Sequence, residues 1–505
     1  MKKGNSKILK TIIITILIGT IFISSSITIA KIEFLKGQID HNLPGDIYQW
    51  ANGYFNGEWN NPDTSMSGYL YGYLKQGRNP VIGQFIASIT NSDQLLVFHI
   101  KGFFIKNIIV GYFTNTDFTN TNYFYGTFNY DESSFTSKIK TNLFGNIVCN
   151  GTHFDSFLPM LTGMYNVGVE AFHLIDYNRL EEFTPDDPDD YREIMIQIWY
   201  PTEENLTGKR IEYMDQTTFN WLFGRSPVPL ITIPKNAFKF VRPYSLDNPS
   251  ISISNSIFPV IIFSPGYDGV YQIYTSLIED VVSHGFIVVS INHPYISGVT
   301  VFPDGRSVGL SPDPPGDLAI RTVVDDAKFV LDTLYNMNLS DGKFAGHLDL
   351  SNVGMYGHSF GGAATTICCF EDDRFKVGLT LDGVIYTDYI NGEINKPFLM
   401  MNAENRFSNE TIDKFLWDHL SNDAYQITVN GSTHFGYTDI GILLNHFVPL
   451  IPASILGFGS INAKRLVNIT KSYELAFFET YLKNMPKESM FNLSKIFSEV
   501  VFKYK

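Results

Sequence analysis

The sequence predicts an α/β fold with a mostly parallel central sheet, preceded by a β-rich module of aromatic residues and glycine. Three observations predict it. After about residue 190, apolar runs of strand length recur, among them Pro259-Val260-Ile261-Ile262-Phe263 and Phe286-Ile287-Val288-Val289-Ser290-Ile291. Continuous runs of this kind suit strands buried on both faces. Stretches of helical spacing at residues 270–284 and 318–334 alternate with the strands, which implies a parallel sheet covered on both sides. Between about residues 45 and 160, short aromatic runs alternate with glycine instead, as in Tyr69-Leu70-Tyr71-Gly72-Tyr73 and Phe124-Tyr125-Gly126-Thr127-Phe128.

The chain has 505 residues, which implies about two or three domains. Hydrophobic residues make up 44% and charged residues 17%, so a large core is available and wholesale disorder is excluded. The net charge is −14, from 37 basic and 51 acidic residues. An acidic chain repels phosphate backbones, which argues against nucleic acid as a partner and for a neutral or apolar substrate. Cys149, Cys368 and Cys369 show no zinc spacing and no disulfide framework; they are expected as small buried side chains.

At the N-terminus Lys2, Lys3, Lys7 and Lys10 precede an apolar run from Ile12 to Ile23 and a small-residue exit through Ser24-Ser25-Ser26. Residues 1–30 therefore have the layout of a secretory signal. They are also long enough to remain as a membrane anchor. Either way the rest of the chain is expected outside the cytoplasm, secreted or anchored.

Residues 45–160 form the expected accessory module. Aromatic runs between turn residues argue for strands, and their irregular recurrence suggests a β-meander or a solenoid-like array. The polar tract at residues 114–122 reads as a loop. The Pro/Asp-rich piece at residues 184–190 reads as an exposed turn. Residues 161–490 form the expected catalytic domain. Its strands are Ile194-Met195-Ile196-Gln197-Ile198-Trp199-Tyr200, the two runs above, Val353-Gly354-Met355-Tyr356, Val377-Gly378-Leu379-Thr380-Leu381, Phe398-Leu399-Met400-Met401 and Tyr425-Gln426-Ile427-Thr428-Val429. Pro303-Asp304-Gly305 marks a hairpin turn.

The chemistry lies in Gly357-His358-Ser359-Phe360-Gly361-Gly362. Ser359 follows a strand and precedes a helix. A nucleophile on so sharp a turn needs neighbours with almost no side chain, and the glycines supply them; this is the nucleophile elbow of the α/β-hydrolase fold. A serine hydroxyl needs a base. His434, in Gly431-Ser432-Thr433-His434, follows what reads as the last strand of the sheet. The base needs a carboxylate. Asp382 and Glu404 each end a strand between Ser359 and His434, and spacing alone does not choose between them. For the oxyanion, one N–H is expected from Phe360 and the other from Tyr267, in Ser264-Pro265-Gly266-Tyr267-Asp268-Gly269. His293 and His358 are expected to be structural.

The set formed by Gly357-His358-Ser359-Phe360-Gly361-Gly362-Ala363, Phe263-Ser264-Pro265-Gly266, Ser283-His284-Gly285-Phe286-Ile287-Val288 and Gly431-Ser432-Thr433-His434 resembles the secreted platelet-activating factor acetylhydrolases and their microbial relatives. The resemblance covers about residues 160–485. It implies an α/β-hydrolase fold, Asp382 as the acid, and calcium-independent hydrolysis with no metal and no cofactor. The chain departs from the family in its aromatic module and in reading Ser-Pro-Gly-Tyr where relatives often read Ser-His-Gly.

The expected reaction is hydrolysis of short acyl esters through an acyl-enzyme, with phospholipid esters as one substrate. A broad carboxylesterase or polyester hydrolase is the rival within the fold, and a surface binding protein with a vestigial hydrolase domain the rival outside it. Apolar segments at residues 219–223, 442–444 and 455–458 are expected either to line substrate access or touch a membrane surface, or to be plain core or lid packing.

Overall fold

In the computed structural model, residues 52–505 are described apart from 63–66, 77–81, 92–95, 106–107, 116–120, 131–133, 142–144, 154–157, 205–208, 225–240, 242, 254–256, 313–314, 341, 406–409 and 448–452. The segment at residues 1–30, expected to be a secretory signal or membrane anchor, lies outside the described residues. The chain divides into two compact units, residues 1–154 and 155–505.

The described residues of the first unit form eight strands: β1 (Asn52–Asn60), β2 (Ser67–Gln76), β3 (Ile82–Asn91), β4 (Leu96–Ile105), β5 (Ile108–Asn115), β6 (Thr121–Tyr130), β7 (Ser134–Thr141) and β8 (Gly145–His153). Each pairs antiparallel with the next, and β8 pairs back onto β1, closing a barrel. The meander is therefore shut on itself rather than stacked as a solenoid, and closure removes both edge strands. The strands also take in both ends of the polar tract, through Asn115 and from Thr121. Alternation sets the faces: on β7, Ser137, Ile139 and Thr141 are buried while Lys138 and Lys140 are exposed. The recurring glycines have a packing role. Gly102 lies opposite Phe85 and Gly111 opposite Phe124. A Cβ on Gly102 would come within 2.6 Å of the Phe85 ring, and one on Gly111 within 2.7 Å of the Phe124 ring. Each ring folds over the bare backbone of its neighbour.

The second unit is built on a ten-stranded sheet. Its strands are β9 (Asn166–Leu180), β10 (Tyr191–Thr202), β11 (Leu246–Asp247), β12 (Phe258–Ser264), β13 (Ile287–Asn292), β16 (Leu348–His358), β17 (Phe375–Leu381), β18 (Phe398–Asn405), β19 (Ala424–Thr433) and β20 (Val500–Tyr504). They lie in the order β11-β9-β10-β13-β12-β16-β17-β18-β19-β20. A separate hairpin, β14 (Val299–Val301) and β15 (Ser307–Gly309), turns at Gly305, whose φ is 88°.

The sheet is mixed. The neighbours from β13 through β12, β16, β17 and β18 to β19 pair in parallel. The pairs β9–β10, β10–β13 and β19–β20 are antiparallel. The connection from β9 to β10 is the Pro/Asp-rich turn, closed by the Glu181 N–H donating to the Asp190 carbonyl at 2.8 Å; so short a link permits only antiparallel pairing. One expectation needs correction. The strand through Tyr425 and Val429 is not the last of the sheet, because β20 adds to it from the C-terminus.

Helices α1 (Gln216–Gly224), α2 (Thr275–Ser283), α3 (Gly316–Leu339), α4 (Phe360–Glu371), α5 (Glu410–His419), α6 (Ile440–Phe447), α7 (Ala463–Leu482) and α8 (Glu488–Ile496) accompany the sheet. One core joins Val260, Ile262, Val289 and Met355 to Val323 and Val330 of α3 and to Ala363 and Ile367 of α4. The alternate residues face the other layer, where Phe263 meets Tyr274 and Tyr356 meets Phe478 of α7. Each fully buried side chain of this size contributes about 1.5–3 kcal/mol. With both faces covered, the carboxyl ends of the parallel strands are the natural place for a site.

Candidate active site

Ser359 stands between β16 and α4 with φ 53° and ψ −112°. This is left-handed backbone for a residue with a Cβ, a conformation that costs about 1–3 kcal/mol and persists only where the surroundings enforce it. They do so here. The Ser359 N–H donates to the Leu381 carbonyl at 2.9 Å, and the Ser359 carbonyl accepts from Val384 N–H at 3.1 Å. A Cβ on Gly357 would lie 2.3 Å from the main chain of Gly361, and one on Gly361 would lie 2.0 Å from the Ser264 carbonyl oxygen. The motif is glycine-rich because three backbone segments meet around the serine.

Asp382 directly follows β17 and is also left-handed, with φ 44°. Its N–H donates to the Met401 carbonyl at 2.7 Å, and its Oδ1 accepts from the Ala403 N–H at 2.9 Å. That anchorage aims Oδ2 at His434, whose Nδ1 lies 2.6 Å away. A carboxylate only accepts, so Nδ1 carries the proton and Nε2 is the nitrogen with basic character. The Asp382 side chain is fully buried and that of His434 nearly so. Glu404 is engaged elsewhere: its Oε2 accepts from Gly431 N–H at 2.7 Å, and its own N–H donates to Ser432 Oγ at 3.3 Å. It braces the loop that carries His434.

His358 lies beside Ser359 with its side chain buried. Its Nε2 donates to the His434 carbonyl at 2.9 Å. Its Nδ1 therefore accepts from the hydroxyl of Tyr274 at 2.8 Å, and the same hydroxyl is 3.4 Å from the Gly266 N–H. Tyr274 is the residue that sequence reading missed. It lies in a stretch recognised only by its helical spacing, and nothing in that spacing signals where its hydroxyl ends.

The loop after β12 comes close to Ser359. A Cβ on Gly266 would be 3.2 Å from Ser359 Cβ. The ring of Tyr267 packs edge-on against Phe360, centroids 5.7 Å apart. Phe360 is the first residue of α4, where N–H groups have no partner within the helix and the helix dipole favours negative charge. Asp268 N–H donates to the Ile296 carbonyl at 3.0 Å and Gly269 N–H to the Gly266 carbonyl at 2.8 Å, which pins the far end of the loop.

His293 is buried in a separate network with Ser264, Asp326 and Arg192. Of the apolar segments, Ile442 and Leu443 are core residues. Trp221 is wedged against Gly298, where a Cβ would meet its ring at 1.9 Å. Phe435 is 53% exposed, next to His434. No helix among the described residues is long and apolar enough to cross a membrane.

The family described as platelet-activating factor acetylhydrolase, isoform II, matches the chain over residues 152–303 and 319–492. The platelet-activating factor acetylhydrolase of Canis lupus familiaris is 25% identical over 370 residues, covering 65% of this chain and 78% of the relative. The probable 1-alkyl-2-acetylglycerophosphocholine esterase of Arthroderma benhamiae is 25% identical over 261 residues, covering 48% of this chain and 66% of the relative. Among solved structures, a ferulic acid esterase from Streptomyces cinnamoneus superposes with a TM-score of 0.59 at 24% identity, over 69% of this chain and 99% of the other.

Proposed function

The chain belongs to the platelet-activating factor acetylhydrolase isoform II family, and from that membership we propose that it is a serine hydrolase of short acyl esters, including the sn-2 ester of phospholipids. Ser359 Oγ attacks the ester carbonyl carbon while His434 Nε2 takes its proton. Asp382 holds Nδ1–H and stabilises the imidazolium that forms. The N–H groups of Tyr267 and Phe360 receive the oxyanion. Collapse of the tetrahedral intermediate expels the alcohol, which takes the proton from His434. Water then repeats the sequence on the acyl-enzyme and returns the free serine.

The observation that carries this reading is the 2.6 Å contact between His434 and Asp382 on the sheet end that also presents the strained Ser359. The test is labelling with a fluorophosphonate followed by peptide mapping. The label is expected on the peptide containing Ser359; a label elsewhere, or none, overturns the assignment. Substrate class is tested by comparing acetate release from a 2-acetyl phospholipid and from p-nitrophenyl acetate. Activity on the second alone favours a broad carboxylesterase.

The leader at residues 1–30 supports placement of the catalytic unit outside the cytoplasm. The barrel is an accessory module in this reading. Retained hydrolysis after deletion of residues 45–160 supports that view; hydrolysis lost from a deletion variant that still folds speaks against it.

A further inference from the structure

A second Ser–His–Asp chain runs through the interior of the catalytic unit. Ser264 Oγ is 2.8 Å from His293 Nε2, and His293 Nδ1 is 2.8 Å from Asp326 Oδ2. The carboxylate accepts, so Nδ1 carries the proton and the Ser264 hydroxyl donates to Nε2. The Nδ1–carboxylate bond of His293 matches the one between His434 and Asp382. All three side chains are buried, at 0%, 1% and 0% exposure, so no ester reaches this hydroxyl and it is not a second nucleophile.

Its position indicates another use. Ser264 is the last residue of β12 and the first of the loop carrying Tyr267, and its carbonyl presses against Gly361 of the nucleophile motif. The main chain of His293 reaches the other end of the same loop. Its carbonyl accepts from Ile296 N–H at 3.0 Å and from Ser297 N–H at 2.7 Å, and the Ile296 carbonyl in turn accepts from Asp268 N–H at 3.0 Å. One residue thus holds the start of the loop by its ring and the end by its backbone.

The ring is itself held rigidly. Arg192 donates to Asp326 at 2.7 Å and 3.1 Å and to Glu181 at 2.8 Å. Against burial, which raises it, the Arg192 guanidinium and the His293 hydrogen bond keep the Asp326 carboxyl far below the usual range. Burial pushes the His293 imidazole down, which keeps it neutral and its Nε2 an acceptor. A charged, paired carboxylate at one end and a neutral ring between give the Ser264 hydroxyl a single orientation.

We propose that His293 is a positioning residue that sets the oxyanion loop, residues 264–269, by tying Ser264 to Asp326 through its ring and by holding, through its carbonyl, the Ile296 whose own carbonyl accepts from Asp268. The inference rests on the reading of Ser359 as nucleophile and Tyr267 as oxyanion donor. Misplacing one such donor has consequences on the scale of losing it, which costs about 10²–10³ in kcat.

Two variants cut the same link from opposite sides. S264A removes the hydroxyl. H293N keeps an amide donor within reach of Asp326 but is too short to reach Ser264. Each is expected to fold, to lower kcat on p-nitrophenyl acetate at least about tenfold with little change in KM, and to weaken binding of a trifluoromethyl ketone transition-state analogue by the same factor. The double variant is expected to lose no more than either single one, because both break one relay. Normal kcat in either folded variant, losses that multiply, or unchanged affinity for the ketone overturns the proposal. Failure of both singles to fold overturns it as well, since the relay then serves folding and not positioning. An S359A control that stays active overturns the nucleophile reading itself, whatever happens at Ser264.

Discussion

His358 donates its Nε2–H to the main-chain carbonyl of His434 at 2.9 Å, with the two rings 4.5 Å apart between centroids. The residue before Ser359 thus grips the backbone of His434. Its other nitrogen accepts from Tyr274, whose hydroxyl is also near Gly266 N–H. The bond from Tyr274 requires a neutral ring, since an imidazolium offers no acceptor.

Burial, reinforced by the neighbouring His434, pushes the His358 imidazole down to about 3. Between that value and the ordinary 6.5 the unfolded chain binds a proton that the fold refuses. Stability therefore falls as pH drops from 6.5 towards 3, by about 1 kcal/mol per pH unit from this group. His358→Phe is expected to remove that part of the slope in urea unfolding measured from pH 6.5 to 4. At neutral pH it is expected to cost about 1–3 kcal/mol, because the His434 carbonyl and the Tyr274 hydroxyl lose their partner. An unchanged acid slope contradicts the assignment.

The carboxylates divide their work in a way that kinetics separates. Asp382→Asn leaves Nδ1 without an anionic acceptor, and kcat is expected to fall about 10⁴-fold, with the wrong tautomer favoured. Glu404→Gln weakens one bond to Gly431 N–H and leaves His434 on Asp382. Its kcat is expected to stay within about threefold, with roughly 1 kcal/mol lost in thermal unfolding. Steady-state assays of both on p-nitrophenyl acetate decide the matter. The reverse ranking moves the acid one strand along.

How far the residues foretold this site depended on the range of the interaction. Ser359 was legible because Gly357, Gly361 and Gly362 crowd within five residues of it, and their packing is local. Asp382 and Glu404 were indistinguishable by spacing because each ends a strand, only the family resemblance favoured Asp382, and it is the approach of the β19 loop that brings Asp382 to the ring. Tyr274 was invisible, since its bond to His358 joins residues far apart in the chain. The barrel's strands announced themselves through aromatic and glycine alternation. Its closure did not, because it depends on pairing such as Glu58 with Asn150 across the whole module. The strand at Val500–Tyr504 was missed because its apolar run, Val500-Val501-Phe502, is only three residues long before Lys503.

The barrel glycines give a prediction that leaves the chemistry alone. A methyl on Gly102 would lie 2.4 Å from the Val110 carbonyl oxygen and 2.6 Å from the Phe85 ring. Gly102→Ala is expected to destabilise the barrel by about 1–3 kcal/mol through overpacking. Hydrogen exchange is expected to speed up across β3, β4 and β5, while kcat for ester hydrolysis stays unchanged because every residue of the site lies in the other unit. Unaltered exchange there argues against the close approach.

Buried carboxyl groups behind the sheet make the opposite pH trend to His358. Glu279 Oε1 accepts from Ser245 N–H at 2.7 Å and Oγ at 2.6 Å, while Oε2 has no partner among the described residues. Burial pushes this carboxyl up to about 8, and burial likewise pushes Asp439 up to about 7. Both are protonated in the fold at pH values where the unfolded chain has already released its protons. Stability from Glu279 is present below about 4.5 and is lost as pH rises to about 8, at roughly 1 kcal/mol per pH unit. Glu279→Gln keeps the acceptor for Ser245 and cannot ionise. It is expected to flatten the decline between pH 5 and 8 and to exceed the wild type in stability at pH 8, leaving the parts due to Asp439, Glu474 and Glu181, whose carboxyls burial also raises. Urea unfolding at three pH values checks this, and a variant whose stability declines as steeply as the wild type refutes it.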